Sequence, residues 1–248
     1  MNFIDTHAHL THDDYAGKLD VVLNQAKEVD VTRYVVPGLD MASSRQAIKL
    51  YHEFSSILPA IGLHPLSATE NYESFRELAA LPEVAAIGEI GTDAKAGDWK
   101  EQEARFRFFL ELAIEVNKPA LIHIRDTWAE TFKILADYPE LKQKAVIHCF
   151  TGGAKEAEQV AKLGLLLSFT AIIARKNMDA THEVIKNWPF EQMMLETDCP
   201  WLSWPGESWP NGPAAVAKTG EFIAGLKGVS VEEVANQTTK TANKFFDL

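Results

Sequence analysis

Eight short apolar runs alternate with longer amphipathic segments along this chain, and that alternation restricts its fold more than any other feature. The pattern predicts strands near residues 3–6, 33–37, 57–63, 84–88, 119–124, 145–149, 165–169 and 193–197. Helices are expected between them, near 20–29, 43–54, 75–80, 101–116, 127–138, 155–163 and 179–187. Segment 101–116 is the clearest, with Phe106, Phe109, Leu110, Ala113 and Ile114 on one face and Glu103, Arg107, Glu111 and Glu115 largely on the other. Residues 214–226 and 231–246 supply the helix after the eighth strand and one more. Eight strand–helix repeats predict an α/β protein of the (β/α)8 TIM-barrel class, folded as a single domain over residues 1–248.

Five of the apolar runs lead straight into a potential metal ligand. The first ends in Asp5-Thr6-His7-Ala8-His9, and the others precede Glu89, His123, His148 and Asp198. In an extended strand alternate side chains share a face, so His7 and His9 point the same way, close enough to grip one cation. Any one of these histidines alone reads more naturally as a core or surface residue. Together the six groups are the neutral imidazoles and carboxylates that a hydrolytic divalent-metal site needs. An open doubly wound sheet leaves their position at the ends of strands one, four, five, six and eight unexplained. In a barrel those ends converge on one face, where active sites form. The reading is a metal-dependent hydrolase.

Charge and cysteine content narrow the partners. The net charge is −11 and no Lys/Arg-rich run occurs, which argues against a module that reads nucleic-acid sequence. It leaves room for a nuclease acting at strand ends, where bound cations face the phosphate. The two cysteines, Cys149 and Cys199, each follow a candidate ligand and cannot frame a domain of this size with disulfides. The first strand is entered at once with no charged and apolar leader, and the apolar stretch 163–174 is too short to span a bilayer. A cytoplasmic protein with no membrane partner is expected.

The motifs Asp5-Thr6-His7-Ala8-His9, Gly62-Leu63-His64-Pro65 and Gly88-Glu89-Ile90-Gly91 resemble those of the TatD-type metal-dependent deoxyribonucleases, within the amidohydrolase-like barrel group. So do His123-Ile124-Arg125-Asp126, His148-Cys149-Phe150-Thr151-Gly152 and Glu196-Thr197-Asp198-Cys199-Pro200, in the expected order over nearly the whole chain. The resemblance implies that His7, His9 and Asp198 bind one divalent ion, that His123 and His148 bind a second, and that Glu89 bridges both. Mg²⁺, Mn²⁺ and Zn²⁺ all suit such a site. It implies hydrolysis of DNA, often from a 3′ end. Two-metal chemistry leads to the expectation of attack by a hydroxide shared between cations roughly 3.5–4 Å apart, with Glu89 and Asp198 as catalytic groups and Asp198 taking the proton. His64 and Arg125 are candidate contacts to a substrate phosphate, and a small phosphodiester is an alternative substrate to a DNA end.

Two segments depart from the family pattern. After Gly91 the family usually continues with Leu-Asp and an aromatic residue, whereas this chain has Thr92-Asp93-Ala94. Residues 203–213 keep Asn211-Gly212-Pro213 but carry no Lys or Arg, where the family has basic residues. Trp201, Trp204 and Trp209 in or beside this loop can stack on a base or form an apolar lid. The neutral loop keeps open a second reading, hydrolysis of a small amide, ester or lactone. His12, His52 and His182 read as surface residues.

Overall fold

A computed structural model describes residues 2–248. Its eight strands are β1 (Phe3–Asp5), β2 (Val31–Pro37), β3 (Ile57–Ile61), β4 (Ala86–Asp93), β5 (Ala120–Arg125), β6 (Ala145–Ile147), β7 (Leu166–Phe169) and β8 (Met193–Leu195). They form one sheet in sequence order, β1 to β8, and every strand pair recorded is parallel. The helices are α1 (Leu19–Glu28), α2 (Met41–Glu53), α3 (Phe75–Ala79), α4 (Trp99–Glu115), α5 (Trp128–Leu135), α6 (Ala154–Leu163), α7 (Asp179–Asn187), α8 (Ala215–Lys227) and α9 (Val231–Phe246). This is the (β/α)8 barrel class that the alternation predicted. The strands read as near-continuous apolar runs because a parallel sheet is covered on both faces; every residue of β1, β4, β6, β7 and β8 is buried.

The chain divides into two compact units. The first holds residues through Val36, Cys149–Glu158 and Leu167–Leu248. In it the last strand meets the first: the Thr6 backbone N–H and hydroxyl both donate to the Leu195 carbonyl at 3.0 Å, and Ala8 bridges Cys199. Gly220 of α8 presses on the Phe3 ring, so the helix following β8 seats directly on β1. The second unit, Pro37–His148 and Gln159–Leu166, contains β3 to β6. Two of its helices begin with side-chain caps: at α4 Asp98 accepts from the Lys100 N–H, and at α2 Asp40 accepts from the Ser43 N–H at 2.7 Å while Ser43 Oγ accepts from the Asp40 N–H.

The elements depart from their predicted bounds in two informative places. The fourth strand does not stop before Glu89 but runs on through Asp93. Its pairing with β5 advances three residues, Ile87 to Ile90, while β5 advances two, Ala120 to Ile122. That extra residue is a bulge at Gly88–Glu89, a device that re-aims side chains beside active sites. Helix α4 buries more than the predicted stripe: Phe108 and Leu112 are also inside, Ile114 is only half-buried, and two polar residues, Gln102 and Arg105, are buried among them. Among the described residues no helix is long and apolar enough to cross a membrane.

Candidate metal centre

In the first unit, β1 and β8 end side by side and deliver three of the candidate ligands. His7 and His9 Nε2 lie 3.1 Å apart, and Asp198 Oδ1 stands 3.2 Å from His9 Nε2 and 3.8 Å from His7 Nε2. Both histidines are almost wholly buried. Asp5, one turn of the pleat before His7, ties the two strand ends together. Its Oδ1 accepts from the backbone N–H groups of His7 and Thr197, and its Oδ2 is 2.6 Å from the Thr197 hydroxyl. Burial pushes the Asp5 carboxyl up to about 8, against the lowering effect of the hydrogen bonds from Thr197 and His7. Glu196, also buried, accepts from the Cys149 N–H at 2.7 Å and from the Ser168 hydroxyl at 2.6 Å.

In the second unit, β3 to β6 converge on Glu89. Its Oε1 lies 2.7 Å from His123 Nδ1, 2.8 Å from His148 Nε2 and 3.4 Å from His64 Nε2. His123 Nδ1 and His148 Nε2 are 3.3 Å apart. The other nitrogen of His123, Nε2, faces Asp93 Oδ2 at 3.1 Å. Burial opposes charging of this imidazole, but the Asp93 and Glu89 carboxylates outweigh it and hold its pKa above the usual histidine range. Asp93 in turn titrates below the usual carboxylate range: burial works against this, and His123, the Lys95 N–H and Arg125 override it. Arg125 reaches Asp93 at 3.4 Å and leaves nearly half of its side chain exposed.

The donor chemistry of both clusters suits a divalent cation. Bonds of about 2.0–2.1 Å at tetrahedral angles place neighbouring ligand atoms about 3.3 Å apart; the separations here run from 3.1 to 3.8 Å among His7, His9 and Asp198 and from 2.7 to 3.3 Å among Glu89, His123 and His148. The His64, Glu89 and His123 donor atoms also lie within 4.8 Å of one another. A carboxylate on one nitrogen of an imidazole, as Asp93 is on His123 Nε2, fixes the ring and would raise its basicity toward a cation at Nδ1.

Three residues essential to this geometry escaped the sequence reading. Asp93, Asp5 and Glu196 sit inside recognised motifs or beside them, yet only pairing across strands reveals what they hold. Of the tryptophans, Trp201 sets its ring edge-on to His9 at 4.8 Å, Trp204 meets Phe222, and Trp209 is half exposed. His12 and His182, expected on the surface, are half-buried: His12 packs on Trp201 and accepts from the Asp14 N–H, and His182 Nε2 is 2.7 Å from the Ile173 carbonyl. His52 is exposed as expected. Cys199 is buried; Cys149 is half-buried, with its Sγ 3.4 Å from the Thr170 hydroxyl.

Residues 4–247 match the model of the family described as TatD related DNase. The chain is 36% identical to the "Uncharacterized metal-dependent hydrolase YabD" of Bacillus subtilis (strain 168), over 98% of each chain. It is 31% identical to the "3'-5' ssDNA/RNA exonuclease TatD" of Erwinia tasmaniensis, over 98% of this chain and 99% of the other. Among solved structures, the TatD homologue YJJV of Escherichia coli K12 superposes with a TM-score of 0.94 at 25% identity, covering 99% of this chain and 98% of that one.

Proposed function

Because this chain belongs to the TatD-related DNase family and is a metal-dependent hydrolase, we propose that it cleaves DNA phosphodiesters from a strand end, in the 3′–5′ direction, with two divalent cations. The observation that carries this reading is the pair of ligand clusters, each with two imidazoles and a carboxylate at coordination spacing. The name borne by the Erwinia tasmaniensis relative supports the substrate and the polarity.

In this reading His7, His9 and Asp198 hold one cation, His123 and His148 hold the other, and Glu89 contributes to both. Bound divalent cations supply positive charge at the phosphoryl oxygen and lower the pKa of water towards ~7. Asp198, the most exposed of the ligand side chains at 17%, accepts the proton of the attacking water and returns it to the leaving oxygen. Glu89 is held by three imidazoles and keeps His123 and His148 in register. Arg125, tied to Asp93 through one nitrogen, presents its remaining donors to a phosphate oxygen.

One observation favours the second reading, a small amide, ester or lactone as substrate. Loop 203–213 has a single charged residue, Glu207, and it is paired with Lys218, so the loop offers no free cation to a phosphate backbone. A substrate panel decides between them. The purified protein should shorten a single-stranded oligonucleotide far faster than it opens esters, lactones or cyclic amides. Asp198→Asn should lose about 10²–10⁴ of that turnover with its circular dichroism unchanged. Preference for an ester or lactone would hand the site to the second reading.

A further inference from the structure

Arg105 is a buried cation remote from both ligand clusters in sequence, yet it serves the site through a loop. It lies on α4, is 4% exposed, and has no carboxylate within 4 Å among the described residues. Burial lowers its pKa, as expected for a guanidinium taken out of water. Its hydrogen bonds go instead to three carbonyls of one short loop: Nη1 donates to His64 at 3.4 Å and Ser67 at 3.3 Å, and Nη2 donates to Pro65 at 3.1 Å. The same loop is pinned from the other side, where the His64 N–H and the Ser67 hydroxyl both donate to the Leu39 carbonyl. A desolvated cation committed to three carbonyls holds a loop far more firmly than solvent would.

What this loop holds is the tautomer of His64. The Leu66 backbone N–H donates to His64 Nδ1 at 3.1 Å, so Nδ1 must be the unprotonated nitrogen of the neutral ring. The proton is then on Nε2, and Nε2 is the atom turned on Glu89 Oε1 at 3.4 Å. A nitrogen that carries a proton can donate to an anion but cannot ligate a cation.

We propose that Arg105 is a positioning residue: by clamping the carbonyls of residues 64–67 it keeps Leu66 N–H on His64 Nδ1, and His64 acts as a donor of its Nε2–H, not as a metal ligand. That Nε2–H faces Glu89 Oε1 at 3.4 Å. Its partner in the reaction, a phosphate oxygen of the substrate, rests on the phosphodiester reading above.

The test begins without substrate. In the full-length protein labelled with ¹⁵N-histidine, with His64→Gln used to assign the signal, His64 should show a pyridine-type Nδ1 and a pyrrole-type Nε2. That pattern should persist when Zn²⁺ is added to saturation. Conversion of Nε2 to a metal-bound signal, or the opposite tautomer, would overturn the proposal. Arg105→Lys retains the charge but cannot span three carbonyls. It should blur the His64 tautomer signature and lower kcat about tenfold, with bound-metal stoichiometry unchanged and no further loss when combined with His64→Gln. An unchanged signature and kcat in Arg105→Lys, or losses that simply add, would also overturn it. If the phosphodiester reading failed, the tautomer and the stoichiometry would still answer, since neither measurement needs a substrate.

Discussion

Asp93 holds the outer nitrogen of His123 and, through it, the geometry of the cluster around Glu89. It is itself fixed by three neighbours: its N–H donates to Gln102 Oε1 at 3.0 Å, its Oδ1 accepts from the Lys95 N–H, and its Oδ2 meets Arg125. Removing such an outer carboxylate costs metal sites about 10–100-fold in affinity or activity. Asp93→Ala should therefore weaken Zn²⁺ binding by that factor, read by competition against a chelating dye; wild-type affinity would show that His123 needs no such support. The histidines of the two clusters were legible as candidates because each follows an apolar run and falls within a motif. Asp93 was not, because its role depends on register, opposite Arg125 on β5 and one hydrogen bond from the His123 ring. Gln102 and Arg105 left a fainter signal, polar residues three apart inside the apolar face of one helix.

At the level of elements, the strand–helix alternation was readable almost throughout, and α7 and α9 begin and end where the periodicity placed them. Elsewhere strand ends moved by at most two residues, as propensity alone allows. The fourth strand moved further because Gly88 and Gly91 look like stop signals in a sequence, whereas here they serve a bulge and a close strand approach. Gly91 has φ of 147°, and a Cβ built on it would collide with the His123 carbonyl oxygen. Only glycine lets β4 and β5 pair at this point, directly beside His123. Gly91→Ala should cost roughly 3 kcal/mol of stability and displace His123. A lowered urea midpoint together with weaker metal uptake would bear this out, and an unchanged midpoint would show that the strands part without cost.

On the scale of the whole molecule, with a charge of −11 and no Lys or Arg in loop 203–213, the proposed phosphodiester reading makes cations held by the two clusters the main attraction for a phosphate. The fold and the family are stated by the chain itself, through its eight repeats and its match to the TatD-related DNase model over residues 4–247. The substrate is where sequence reading stops: a ligand set specifies a bond polarised by metal, while the groups beside that bond are chosen by loops whose contacts depend on folding. Trp201, stacked edge-on against His9, and Arg125, half exposed beside Asp93, are such groups. The central claim, hydrolysis of DNA from its end by a metal site built on these ligands, is tested most directly with end-labelled single-stranded DNA. Metal-stripped protein should leave it intact, and Mg²⁺, Mn²⁺ or Zn²⁺ should restore stepwise shortening from the 3′ end, absent in Asp198→Asn. DNA that stays whole in every metal, while two ions are bound per chain, would contradict the account.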